Sequence, residues 1–144
     1  VSAYAAPEFE CRHNKNYWEF GDYLGIGAGA HGKVTKPDGV YRTERRRSPQ
    51  GYISAMSAGV VELEKIIPNE ELPFEFMLGA LRLTRGLPIA MFQQRTGLPL
   101  ADIEDKLERA HQQQWLDSYD EIIRTTAFGA RFLNSVQSFF LAAS

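Results

Sequence analysis

Two prolines, Pro68 and Pro73, bracket a polar stretch, Ile67-Pro68-Asn69-Glu70-Glu71-Leu72-Pro73, and it separates two halves of different character. Residues 1–50 are rich in Gly, Pro, Arg and aromatic side chains and show few helical periods, whereas residues 73–144 are dominated by helical spacing. The stretch is the best linker in the chain and predicts a division into residues 1–67 and 68–144. At 144 residues there is one domain's worth of length, without room for two independent large cores. No internal repeat is present.

In the second half, Phe74, Met77, Leu78 and Leu81 fall at i, i+3, i+4 and i+7, which predicts an amphipathic helix ending near Gly86. Pro88 then opens a short helix from Ile89 to about Thr96, closed by Gly97. A third helix runs over residues 100–114 with Leu100, Ile103, Leu107 and Ala110 as its apolar stripe. Residues 115–119 and 122–125, separated by Asp120-Glu121, predict a small hairpin. A last helix from about Thr126 carries Phe128, Phe132, Val136, Phe139 and Phe140 on one side. Helix, helix–turn–helix, hairpin and helix is the order of a winged-helix module. DNA binding is disfavoured, because the would-be recognition helix carries Asp102, Glu104, Asp105 and Glu108 against Lys106 and Arg109. A helical lid or packing domain is the plainer reading.

In the first half, residues 16–20 predict a helical turn bearing aromatics, and residues 22–30 a buried strand of small side chains that something else approaches closely. A turn at Pro37-Asp38-Gly39 separates this from a second strand over residues 40–45, a hairpin. Residues 51–64 predict a helix with Ile53, Met56, Val60 and Leu63 on one stripe. These strands are too few to close a sheet. The fold class is α+β, the tail of a larger β/α structure followed by a mainly helical domain.

Composition excludes several function classes. Sixteen basic and eighteen acidic side chains give a net charge of −2, split evenly at Leu72 (nine against ten, then seven against eight). No polybasic anchor or nucleic-acid patch stands out. The single cysteine, Cys11, excludes an internal disulfide framework, points to a reducing compartment, and cannot by itself supply a cluster needing three or four thiolates. No apolar run reaches the length of a spanning helix, so the chain is not expected to be an integral membrane protein.

Gly27-Ala28-Gly29-Ala30-His31-Gly32 has the spelling of a dinucleotide fingerprint, yet a strand end and a turn follow it instead of a helix, so a Rossmann site is not expected. The densest chemical cluster is His13-Asn14-Lys15-Asn16-Tyr17-Trp18. A neutral imidazole ligates metal or haem iron, and Tyr17 and Trp18 supply a flat apolar wall with a polar edge. The plainer alternative is a structural histidine beside a core tryptophan. Cys11, His13 and His31 match no zinc spacing. Lys33, Lys36, Arg42, Arg45, Arg46 and Arg47 outnumber Asp38 and Glu44, an excess of +4 that suits carboxylates of an anionic ligand or a merely solvated hairpin.

Two segments carry a more specific signal. Cys11-Arg12-His13-Asn14-Lys15-Asn16-Tyr17-Trp18 and Asp22-Tyr23-Leu24-Gly25-Ile26-Gly27-Ala28-Gly29-Ala30-His31-Gly32 resemble the C-terminal part of radical-SAM, oxygen-independent coproporphyrinogen III oxidase-like proteins. The His-Asn-x-x-Tyr-Trp form is similar to their haem chaperone (HemW-like) branch, and residues 69–141 resemble the family's helical, winged-helix-like C-terminal domain.

The resemblance implies that residues 1–67 are the end of a partial β/α barrel, that residues 68–144 are the accessory domain, and that the chain is the C-terminal portion of a longer, cytoplasmic protein. It implies haem binding by His13 (as iron ligand), Asn14, Tyr17 and Trp18, and a cofactor or substrate pocket at Gly25, Gly27, Gly29 and His31. Arg42, Arg45, Arg46 and Arg47 are weaker candidates for anionic contacts. The family's [4Fe–4S] cluster, held by Cys-x3-Cys-x2-Cys, and its S-adenosylmethionine would belong to the longer protein, so this portion alone would carry no radical chemistry and no catalytic residue. The implied function is delivery of haem to apo-haemoproteins. The alternatives are oxidative decarboxylation of coproporphyrinogen III, an oxidoreductase step in porphyrin biosynthesis, or a lid or docking domain without a ligand of its own. Unpaired strand edges would favour a dimer of the portion.

Overall fold

The proline-bracketed stretch opens a helix in the computed structural model, which describes residues 5–6, 8–60 and 63–142. Helix α3 (Leu72–Ala80) takes Pro73 in its first turn, where the missing N–H breaks no helical bond. Leu72, Phe76, Met77 and Ala80 are buried, so the inward stripe runs through Phe76 and not through Phe74. The chain forms two compact units, one made of the residues up to Gly21 together with those from Pro68 onward, the other Asp22–Ile67. The chain thus passes from one unit to the other at Gly21–Asp22 and back at Ile67–Pro68.

In the first unit, helix α1 (Arg12–Trp18) precedes α3 in sequence and packs on it. It is longer than the helical turn expected at residues 16–20. Gly79 makes the contact close, since a Cβ at that position would lie 2.9 Å from the Trp18 carbonyl oxygen and 3.0 Å from its Cα. The chain leaves α1 through Phe20, at a left-handed φ of 55°, with the Gly21 N–H donating to the Asn16 carbonyl at 2.7 Å. Phe20 is buried, its ring edge-on to Phe76 at 5.8 Å, and Phe76 meets Phe92 at 5.3 Å and 89°.

Strand β4 (Leu87–Pro88), helix α4 (Ala90–Thr96) and helix α5 (Ala101–Gln112) follow, with Gly97 closing α4 at φ 75°. Helix α5 buries Ile103, Leu107 and Ala110 as its spacing predicts. The predicted hairpin is present as a bridge between Leu116 and Thr125 and a bond from the Asp117 N–H to the Arg124 carbonyl, and its strand β5 (Ile122–Ile123) also pairs antiparallel with β4. The last predicted helix is two: α6 (Ala127–Arg131), capped by the Thr126 hydroxyl accepting from the Gly129 N–H, and α7 (Leu133–Ser138). Phe132 sits at the break with φ −111°, and Phe128 and Phe132 face outward while Val136 and Phe140 are fully buried. The Gln137 amide donates to the Leu78 carbonyl at 2.9 Å and the Lys106 ammonium to the Phe140 and Leu141 carbonyls, tying α7 to α3 and α5.

In the second unit, β1 (His31–Lys36) and β2 (Gly39–Glu44) form a hairpin around the predicted turn, and β3 (Leu63–Ile66) pairs antiparallel with β2. The Gly-rich strand expected over residues 22–30 is absent: Tyr23 alone bridges to Lys33, and Leu24 and Ile26 are exposed. Gly27 and Gly29 explain this, since their φ values of 102° and 72° turn the backbone out of any extended line. Asp22 instead anchors β1, accepting from the Lys33 ammonium at 3.0 Å and from the Thr35 N–H and hydroxyl. The helix expected over 51–64 ends early. Helix α2 (Pro49–Ser57) begins with the Ser48 hydroxyl accepting from the Gly51 N–H and stops before Gly59, at φ 70°. Its stripe of Ile53, Met56, Val60 and Leu63 is exposed; residues 61 and 62 lie outside the described ones. Val40, Thr43 and Lys33 are buried in the sheet.

Two outcomes follow. Gly79→Val places two methyl groups against the Trp18 backbone and is expected to destabilise the first unit by about 1–3 kcal/mol, seen as a lower urea midpoint. The Tyr119 hydroxyl donates to the Glu108 carboxylate at 2.6 Å, which pushes the phenol from 10 up to about 12 and holds Glu108 below its usual range. The protonated phenol favours the folded state, so this contribution is present below pH 10 and disappears as pH rises toward 12. An ultraviolet titration of tyrosinate should show a late-ionising phenol that Glu108→Gln restores to the ordinary range, while Tyr41, also raised by its bond to Asp38, is unaffected.

Candidate functional site

Helix α1 displays the motif residues on two adjoining stripes, because neighbours on a helix are about 100° apart and residues four apart stack. His13 and Tyr17 share one stripe, both exposed, with ring centroids 5.0 Å apart at 50°. Asn14 and Trp18 share the next, and it faces a groove of about 580 Å³ within the first unit. Lys15 and Glu19 pair on a third line at 3.8 Å and also reach the groove. Cys11, at the N-cap position of α1, is exposed and also lines the groove.

The opposite wall is the segment from Arg82 to Pro88 that links α3 to β4. Three tight bonds shape it: Arg82 N–H to the Gly79 carbonyl, Leu83 N–H to Ala80 and Gly86 N–H to Leu83. Gly86, at φ 75°, lets the chain turn where a Cβ would meet the Ile123 carbonyl at 2.7 Å. Arg82 donates through Nε to the Leu78 carbonyl at 2.9 Å, and Arg85 has no polar partner among the described residues. The groove thus joins an indole, apolar side chains (Phe9, Leu83, Leu87, Pro88) and two guanidinium groups. Its size lies in the usual range of small-molecule sites.

The sequence candidates are only partly gathered. Asn14 and Trp18 enter the groove, while His13 and Tyr17 lie on the neighbouring stripe of α1. Gly25, Gly27, Gly29 and His31 belong to the other unit and do not line it. There, Gly25 sits close under the His31 backbone, where a Cβ would lie 2.5 Å from the His31 carbonyl oxygen, and His31 is exposed at the start of β1. Among the basic candidates, Arg45 donates to the Gly25 carbonyl at 2.9 Å and to the Met56 sulfur, and Arg47 pairs with Glu44 at 3.2 Å. Arg42 and Arg46 are exposed, so much of this cation excess serves the hairpin itself. Among the described residues no three His, Cys, Asp or Glu side chains converge as a metal site, and no helix is long and apolar enough to cross a membrane.

The contribution of residues 82–88 was missed by sequence reasoning. Its signal was available: two arginines three positions apart lie just before Gly86, where the sequence predicts a helix end, although α3 already stops at Ala80. Only the return of α1 onto α3 sets them opposite Trp18.

Comparison with known proteins bears on this arrangement. Residues 67–132 match the HemN C-terminal domain. The chain is 42% identical over 143 residues to the haem chaperone HemW of Escherichia coli K12, covering 99% of this chain and 37% of that protein. It is 38% identical to the haem chaperone HemW of Haemophilus influenzae, covering 98% of this chain and 36% of the relative. Among solved structures it is similar to the radical-SAM coproporphyrinogen III oxidase HemN of E. coli, with a TM-score of 0.54 and 18% identity over 83% of this chain and 28% of that one, which is a likeness of fold. The chain spans little more than a third of the length of the relatives it matches. It belongs with the HemW proteins, which it matches along nearly its whole length, and carries the HemN C-terminal domain over residues 67–132.

Proposed function

We propose that this chain contributes the haem-holding part of a haem chaperone that passes its cargo to apo-haemoproteins. The observation that carries the reading is the display of His13, Asn14, Tyr17 and Trp18 from one helix anchored on the helical unit, beside a groove of ligand size. The names of the relatives, haem chaperones at 42% and 38% identity, support it.

In this reading His13 is the iron ligand. Its imidazole is exposed on the first turn of α1, so both ring nitrogens are reachable, and the Tyr17 ring lies beside it four residues on, 5.0 Å away and tilted by 50°. Trp18 and Tyr17 offer flat faces to a macrocycle, worth about 0.5–1.5 kcal/mol for each well-placed ring pair beyond the area buried. Because α1 is already packed on α3, little backbone ordering remains to be done on binding, which favours affinity. An exposed site with one protein ligand also suits a carrier, since the iron stays accessible to a competing ligand from an acceptor.

The groups a radical-SAM protein needs do not come from this chain. A [4Fe–4S] cluster requires several thiolates, and Cys11 is the single cysteine. The cluster, S-adenosylmethionine and the rest of the β/α barrel that residues 1–67 complete are therefore assigned to the remaining length of a protein such as the relatives, and residues 68–144 to a winged-helix-like accessory domain. A reducing, cytoplasmic setting agrees with a lone free cysteine. Coproporphyrinogen decarboxylation has support only at the level of fold, through a neighbour at 18% identity.

The test is a haemin titration of the intact chain by visible absorption beside His13→Ala. The reading predicts a saturable Soret shift for the parent chain and a loss of at least tenfold in affinity for the variant. Equal curves for the two would contradict it.

A further inference from the structure

The groove beside the motif has two cations on its far wall that the motif itself does not include. Arg82 and Arg85 sit on one short, internally bonded turn between α3 and β4, opposite the indole of Trp18. Arg82 is oriented by its Nε bond to the Leu78 carbonyl, which leaves both terminal nitrogens without a partner among the described residues. Arg85 is exposed and has no partner there at all. Facing them, Lys15 is already engaged by Glu19, and Glu10 is the one unpaired anion of the lining. Two free guanidinium groups across a groove from an aromatic face are suited to a flat, apolar ligand with carboxylates at its edge, because the planar fork of arginine matches a carboxylate bond for bond.

We infer that the groove between α1 and residues 82–88 receives the carboxylate-bearing edge of a tetrapyrrole, with Arg82 and Arg85 as its carboxylate contacts and Trp18 as its apolar wall. This rests on the haem reading and adds to it the group by which the ligand is recognised. It moves that role away from Arg45 and Arg47, which lie in the other unit, Arg45 bonded to the Gly25 carbonyl and Arg47 paired with Glu44. It also assigns the two stripes of α1 different tasks. His13 and Tyr17 serve the iron, whereas Asn14 and Trp18 serve the edge of the ring.

The main chain of the turn is held by the Gly86 N–H bond to Leu83 and by the pairing of β4 with β5, and Arg82 is further oriented by its Nε bond, so the two arginines project from a fixed turn. A ligand whose carboxylates are capped as esters keeps the macrocycle and the iron and loses only this interaction.

The experiment compares haemin with haemin dimethyl ester, each titrated by absorption into the intact chain and into Arg85→Glu. Arg85 is chosen because it is exposed and unpaired, so its replacement leaves the fold undisturbed; an unchanged far-ultraviolet circular dichroism spectrum verifies this. The parent chain should bind haemin about tenfold more tightly than the ester, and Arg85→Glu should lose about tenfold for haemin with less than twofold change for the ester. The inference is overturned if the parent binds both alike, or if Arg85→Glu weakens both equally. If haemin and the ester both bind the parent well without discrimination, the haem reading stands and the carboxylate contacts fall. If neither binds, both fall together.

Discussion

The absence of a side chain at Gly79 is the condition on which the site depends. With the Trp18 backbone 2.9–3.0 Å from where a Cβ would stand, α1 can lie on α3 only because nothing projects there. Helix α1 has no buried residue of its own. It is held by this backbone contact and by Phe20, which follows it into the core against Phe76. The aromatic line from Phe20 through Phe76 to Phe92 then connects the entry of the motif helix to the centre of the helical unit. A motif on a free helical turn would pay its ordering entropy at the moment of binding; here much of it is settled during folding.

The same packing distributes charge. Cations that could be solvated are committed elsewhere: Lys106 to the carbonyls after α7, Lys33 to Asp22, Arg45 to the Gly25 carbonyl. Arg82 and Arg85 are the ones left facing a groove. Helix α5, whose exposed face keeps Asp102, Glu104 and Asp105 while Lys106 turns inward, has even less positive potential than its composition implies, which is the wrong surface for phosphate. The helical unit thus presents an acidic helix on one element and a cationic turn on another.

Much of this was legible in the residues. The mixed α+β class, the helices α3 to α5, Gly97 as a terminator and the hairpin before Thr126 follow from spacing and turn chemistry, which are local. Three misses have a common cause. Residues 22–30 read as a strand because apolar and small residues alternate, and the positive φ values of Gly27 and Gly29 are invisible in a pattern. Residues 51–64 read as one helix because Val60 and Leu63 continue the period of Ile53, yet Gly59 ends it and β3 takes Leu63 into a sheet. The last helix read as continuous because five apolar residues share a side, but Gly129 and the Thr126 cap set a separate short helix in front of α7. At the site, the motif was visible and its division was not. Whether His13 and Trp18 face one cavity depends on which stripe of α1 meets α3, and that is decided by Gly79, more than sixty positions away.

Amide hydrogen exchange of the ligand-free chain tests the central claim, that the motif helix is held in place before any ligand binds. The amides of Lys15, Glu19 and Gly21, bonded to the carbonyls of Cys11, Lys15 and Asn16, should be protected to an extent approaching those of α3 and α5. Exchange of these three at the rate of an unstructured peptide, while α3 and α5 remain protected, would show that α1 is not docked and would contradict the account.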